Sequence, residues 1–257
     1  MNKKILITKL LMIFSVVVLN ACILTTDEKK IDKVKASDAQ MQLGVGYLQF
    51  GELALAKEPL KKAIELNKKN ADAYGVLALV FQREQENKLA EQNFLKALKI
   101  EPKNSRILTN YAMFLRQNKR YDEAMKHFEK ASEDPLYIER ASIFEHMGFT
   151  ALELNKLDDA KGYFQRAVHL DWRKGGALIE LTELSYNDHN YDVAYNYYSS
   201  FIRLVNDGIY EQTAHTLAVG IKAAKAKGKK LEAVNYGVQL RDLYPDSSEY
   251  KQYLAED

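Results

Sequence analysis

Residues 71–104 read ADAYGVLALVFQREQENKLAEQNFLKALKIEPKN. Small and apolar residues recur there every three or four positions in two runs, separated by the polar stretch 83–87 and closed by Pro102. That period marks two amphipathic helices joined by a short turn. The hairpin is repeated on both sides. Ala56, Ala90, Ala124, Ala160, Ala194 and Ala233 occupy equivalent contexts, at successive spacings of 34, 34, 36, 34 and 39 residues. Six hairpins follow from this, at 37–70, 71–104 and 105–138, then at about 141–174, 175–208 and 214–247, with short insertions before the fourth and sixth.

The other positions align with the alanines. Eight residues into the hairpins stand Gly44, Ala78, Ala112, Gly148, Thr182 and Ile221, and three residues further on Tyr47, Phe81, Leu115, Ala151, Ser185 and Ala224. The second helices carry Leu60, Phe94, Phe128, Phe164 and Tyr198, followed by Ala63, Ala97, Ala131 and Ala167. Helices that cross closely need small residues at the contact and a large one in the adjacent hole. A leucine at Ala124 would overpack the crossing at a cost of about 1–3 kcal/mol. A period of 34 is that of the tetratricopeptide repeat, whose hairpins bury too little alone and lean on their neighbours. The expected fold class is therefore all-α, a right-handed tetratricopeptide-repeat solenoid of about six helix–turn–helix units over residues 37–257. The fifth and sixth hairpins depart from the pattern, with Phe201, Gly237 and Leu240 at positions that call for alanine or an aromatic ring. The polar tail 247–257 is expected to cover the end of the stack.

Upstream of the repeats lies a different kind of sequence. Met1-Asn2-Lys3-Lys4 is a basic start, and the run from Leu10 to Leu19 is apolar but too short for a spanning helix, which needs about 20 residues. A basic start, a short apolar run and a small residue before the cut are the marks of a secretory signal peptide, here residues 1–21. Leu19-Asn20-Ala21-Cys22 resembles the lipobox of bacterial lipoproteins, in which the cysteine receives a diacylglyceryl group and becomes the mature N-terminus. Cys22 is the chain's one cysteine, so no intramolecular disulfide forms. One acyl chain holds a protein to a membrane only reversibly; the several chains of a lipoprotein hold it permanently. Ile23, in place of an aspartate, favours the outer membrane by resemblance to lipoprotein sorting in Gram-negative bacteria. Residues 22–36 are read as the lipidated N-terminus and a flexible tether.

Composition and spacing exclude several function classes. Residues 1–21 hold three lysines and no acid, so the remainder has 34 bases against 35 acids and a net charge of −1. No basic surplus marks a nucleic-acid partner. Of the five histidines, His127, His146, His169, His189 and His215, none lies three or four residues from another, as a helical metal pair requires. The run GVGYLQFG (44–51) fails as a phosphate loop, because its third glycine is misplaced and it sits inside a first helix. We expect no enzyme, no cofactor, no metal and no small-molecule substrate.

A binding surface remains. In tetratricopeptide solenoids the first helix of each unit lines a groove. By that register the lining positions here are Met41, Val45, Leu48, Leu79, Met113, Phe149, Leu152, Ile179 and Tyr186. For Val45 and Ile179, packing against the neighbouring helix is the competing reading. Methionine and phenylalanine at helical spacing suit an apolar peptide or an amphipathic segment. Chaperone adaptors with these repeats grip a C-terminal carboxylate with Lys, Arg and Asn; the matching positions here are Met41, Val45, Val76, Arg106 and Asn110, and only Arg106 fits its part.

With lipobox and repeats together, the chain resembles the type IV pilus biogenesis and stability lipoproteins, which act as pilotins for the outer-membrane secretin. The likeness is densest in QLGVGYLQFGELALAKEPLKKAIEL (42–66), LALVFQREQENKLAEQNFLKAL (77–98) and DPLYIERASIFEHMG (134–148), the last holding the two-residue insertion. GVQLRDLYPDSSEY (237–250) looks like the family's closing unit. The resemblance implies binding of secretin subunits in the periplasm and help with their outer-membrane localisation and multimerisation. It would place the contact on the first units, around Met41, Val45, Leu48, Leu79 and Arg83. The alternative is a tetratricopeptide lipoprotein scaffold for other envelope machinery, serving outer-membrane protein assembly or a peptidoglycan hydrolase.

Overall fold

The computed structural model describes residues 31–256, which are helical throughout apart from turns; among them there is no strand. The first helix, α1, covers residues 31–49. It is followed by α2 (Leu53–Leu66), α3 (Ala71–Arg83), α4 (Asn87–Ile100), α5 (Ser105–Gln117), α6 (Tyr121–Ser132) and α7 (Arg140–Glu153). Then come α8 (Leu157–Leu170), α9 (Gly175–Asn187), α10 (Tyr191–Asn206), α11 (Ala214–Ala226), α12 (Lys230–Leu243) and α13 (Ser248–Glu256). The helices fall into two compact units, unit 1 ending at Asn110 and unit 2 beginning at Tyr111. The signal peptide, Cys22 and the first part of the tether lie outside the described residues. Residues 31–36, read as the end of that tether, are instead the exposed first turns of α1. Ser37 and Met41 are buried and fix the helix, and each residue added ahead of a formed turn gains a bond at little further entropic cost.

One turn is used six times. At the turn between the two helices of each hairpin one residue takes positive φ: Gly51, Gln85, Lys119, Asn155, His189 and Gly228. The next residue sends its N–H back to the carbonyl five positions earlier. Those acceptors are Tyr47, Phe81, Leu115, Ala151, Ser185 and Ala224. This Schellman closure satisfies carbonyls that the helix end leaves open. Glycine meets the left-handed backbone at no steric cost in only two of the six turns. His189 is one of the others, and its Nδ1 lies 3.0 Å from the Tyr191 hydroxyl, which gives it a place in the turn.

The six repeated alanines are buried, as are Leu60, Phe94, Phe128, Phe164 and Tyr198 on the second helices. The small positions opposite are tight. A Cβ at Gly44 would meet Leu60 at 2.5 Å, and one at Gly148 would meet the Phe164 ring at 2.4 Å. Gly237, off-pattern in sequence, is explained by α13: Tyr253 packs where a Cβ would stand 2.7 Å from its hydroxyl. Tyr250 and Tyr253 close a cluster with Leu217, Ile221 and Leu240, so the tail ends unit 2 as an amphipathic helix.

In unit 1 the hairpins join through polar groups. Ser37 donates to the Ala63 carbonyl (2.8 Å), and Asn70 donates to Ser37 (2.9 Å) and to Asp38 (3.1 Å). The Asn70 side-chain oxygen also accepts from Ala73 N–H and so caps α3, a contact usually worth about 1 kcal/mol. In unit 2 the equivalent position before α9 is Lys174, which cannot accept. Glu145, on α7, supplies the acceptor instead, taking Ala177 N–H at 3.2 Å while pairing with Lys174.

Candidate functional site

Two first-helix faces carry the expected lining residues, one in each unit. In unit 1, α1 presents Met41, Val45 and Leu48, and α3 presents Leu79 and Arg83. Met41 and Leu48 are each 7 % exposed and belong to the core with Leu60, Val76, Leu77 and Val80, so they form the floor of this face and do not line it. The reason is register: α1 carries its apolar residues broadly enough that both positions turn toward α2 and α3. Val45 and Leu79 pack on that core and stay partly exposed. Arg83, the last residue of α3, donates from Nη1 to the Leu48 carbonyl (2.7 Å), capping the end of α1 with a cation. The result is a half-open apolar strip with a guanidinium held at one end.

The clamp positions in unit 1 are filled as the sequence suggests. Val76 is buried, and the Arg106 guanidinium is engaged by Asp72 in an ion pair.

In unit 2 the predicted residues are more dispersed. Met113 on α5 is 38 % exposed. Phe149 on α7 is half-buried, its ring set edge-on to Phe164 with centroids 5.1 Å apart. Gly176 makes room for it, since a Cβ there would lie 3.2 Å from the Phe149 ring. Leu152 is half-buried one turn on, and Tyr186 stands at the far end of α9 beside Tyr191. A small hollow joins Tyr186 to Thr182, Glu183, Val219 and Lys222. Ile179 is core, 5 % exposed, as its competing reading held.

Sequence reasoning missed the charge on the unit 2 face. Glu180 and Glu183 lie one turn apart on α9; burial, then Glu183, push the Glu180 carboxyl above the usual carboxylate range, with His215 acting the other way. His215 Nε2 stands 3.5 Å from Glu183. The acidic pair is readable in GGALIELTELSYN once α9 is known to be a first helix, because residues three apart share a face.

His146 and His127 pack against aromatic rings. His146 stacks on Phe128 at 5.8 Å, and burial, with Arg116 and Lys174, holds its pKa down at about 4 against the weaker pull of Glu139. His127 sits edge-on to Tyr111, and burial lowers its pKa too. Among the described residues no group of three potential metal ligands comes together, and no helix is long and apolar enough to cross a membrane.

Comparison with known proteins fits this architecture. Models of the tetratricopeptide repeat match residues 37–70, 71–104 and 93–126. The type IV pilus assembly protein PilF of Pseudomonas aeruginosa is 40% identical over 242 residues, covering 93% of this chain and 94% of the relative. The solved structure of P. aeruginosa PilF superposes with a TM-score of 0.82 over 88% of this chain and all of that one. PilW, described as a widely conserved type IV pilus biogenesis factor, superposes with a TM-score of 0.71 at 27% identity, covering 85% of this chain and 98% of its own.

Proposed function

The chain belongs to the tetratricopeptide-repeat family of type IV pilus assembly proteins, and from that premise we propose that it is an outer-membrane lipoprotein adaptor, a pilotin. In this reading lipid on Cys22 fixes the protein at the periplasmic face of the outer membrane. The repeats bind secretin subunits and promote their localisation and multimerisation. Holding both partners at one membrane raises their effective concentration, so a modest affinity suffices. The protein supplies recognition and position, with no chemistry of its own.

The observation that carries the reading is the unit 1 strip. Val45 and Leu79 are partly exposed over a floor of Met41 and Leu48, with Arg83 anchored at the edge. An amphipathic segment of the secretin would lay its apolar side on Val45 and Leu79, the helix-in-groove mode of recognition. The test uses a deletion strain complemented with wild type, Cys22→Ala or Leu79→Glu, scored by the amount and membrane location of heat-resistant secretin multimer. Deletion should remove the multimer from the outer membrane and wild type should restore it. Cys22→Ala should separate the need for lipid in assembly from its need in location. Leu79→Glu should abolish secretin binding with helical content unchanged, because the side chain is not fully buried. Normal multimers in the deletion strain would overturn the secretin assignment in favour of a scaffold for other envelope machinery.

A further inference from the structure

The two-residue insertion in DPLYIERASIFEHMG has no part in the unit 1 strip, yet it builds the most exposed apolar surface of unit 2. The longer connection from α6 to α7 carries Leu136, 90 % exposed, and Ile138, 95 % exposed. Facing it is the connection from α8 to α9 with Trp172, 57 % exposed and the chain's one tryptophan. Between the two lies an open cleft of about 640 Å³, lined by Pro135, Tyr137, Ile138, Arg140, Leu170 and Trp172 among others. Large apolar side chains this exposed, clustered on adjacent loops, mark an interaction site more often than a solvated surface.

The charges in the cleft select its occupant. Asp171 and Arg173 are bonded to each other in a two-pronged pair, which lowers the Asp171 carboxyl below its usual range. Glu139 accepts from the Tyr137 hydroxyl at 3.0 Å. Arg140 is different. Its Nε donates to the Ser132 carbonyl, and its guanidinium lies over the Phe144 ring, 5.5 Å from the centroid, with Arg166 also over that ring at 5.2 Å. Among the described residues neither arginine is ion-paired with a carboxylate. A guanidinium has five donors, so Arg140 retains capacity for a carboxylate at the mouth of an apolar cleft.

We propose that this cleft docks an extended apolar segment of another protein that carries an acidic side chain, with Ile138 and Trp172 taking the apolar residues and Arg140 taking the carboxylate. A second copy of this chain and a lipid surface are the competing occupants. A lipid phosphate would also accept from Arg140, so vesicles form a separate arm of the test, but a bilayer offers no extended segment to lie along the cleft between the two loops, and a self-contact would need no acidic selectivity. The inference is independent of the secretin reading, since no unit 1 residue enters it.

The test reads emission from Trp172 in the purified full chain. Three short tryptophan-free peptides with blocked ends differ only in their central residue, which is Glu, Gln or Lys between leucines. The Glu peptide should shift Trp172 emission to the blue in a saturable titration and bind about tenfold tighter than the Gln peptide, as one charge-assisted hydrogen bond requires. The Lys peptide should be weaker still. Arg140→Gln should erase the preference for Glu while leaving Gln-peptide affinity unchanged. Ile138→Ser, at a position exposed enough not to affect folding, should weaken all three together. No emission change, or equal affinity for all three peptides, would overturn the proposal. So would a blue shift that appears with protein concentration alone, which indicates a second copy. A shift elicited only by phosphatidylethanolamine–phosphatidylglycerol vesicles would assign the surface to the membrane and overturn it as well.

Discussion

Unit 1 joins its hairpins through a buried polar network at Ser37 and Asn70 and keeps the 34-residue spacing, whereas unit 2 joins them through aromatic rings and absorbs two insertions. The difference shows what the repeat protects. Where the cap position holds asparagine, the same short side chain caps the new helix, as Asn70 does for α3 and Asn104 does for α5 through Ile107 N–H. Where it holds Lys174, the acceptor is supplied from farther away, by Glu145 for α9. The second insertion brings the Tyr210 ring over Gly175, 2.7 Å from where a Cβ would stand, and its hydroxyl accepts Gly175 N–H at 3.3 Å. All five histidines also lie in unit 2.

The largest effect that would test this contrast comes from Phe164→Ala. It removes a fully buried ring from the α7–α8 crossing and should cost about 3–5 kcal/mol. Hydrogen exchange should show the loss of protection concentrated in α7 to α9; an equal loss across α2 to α4 would erase the distinction between the units.

Acid should separate the units next. His146 keeps a native pKa of about 4 against an ordinary value of 6.5. Below 6.5 the unfolded chain takes up a proton that the native chain refuses, so the stability this burial permits is full above 6.5 and is lost as pH falls toward 4. The change is on the order of 3 kcal/mol, from about 1.4 kcal/mol per pKa unit. The urea midpoint followed at Trp172, which lies in unit 2, should drop across that window, and His146→Leu should flatten the drop. A midpoint insensitive to pH in wild type would refute the assignment.

The smallest effect compares equivalent glycines. Gly148→Ala drives a methyl into the Phe164 ring, which Phe149 flanks, while Gly44→Ala meets the branched end of Leu60. Both overpack a crossing at about 1–3 kcal/mol, with Gly148→Ala the costlier because a flanked ring has less room to turn. Melting temperatures of the two variants give the order; a larger drop for Gly44→Ala would reverse the ranking of the two joints.

Much of the fold was legible in the residues. The alanines and aromatic positions set the six hairpins because a close helix crossing tolerates few side-chain sizes, and that constraint repeats at a fixed interval. The candidate site was legible only in part. Val45, Leu79 and Phe149 lie where the register puts them, half-buried on first helices. Met41, Leu48 and Ile179 share that register but turn into the core, because a helix face is about as wide as the difference between lining a groove and flooring it.

The sequence by itself determined the repeat, its period and the place where the period breaks, because these depend on local spacing and side-chain volume. Only the tertiary structure decided which first-helix residues remain exposed, that Glu145 stands in for a missing cap, and that Arg140 and Trp172 line one cleft. Those outcomes depend on which groups from distant parts of the chain arrive at the same point, and no spacing along one helix encodes that.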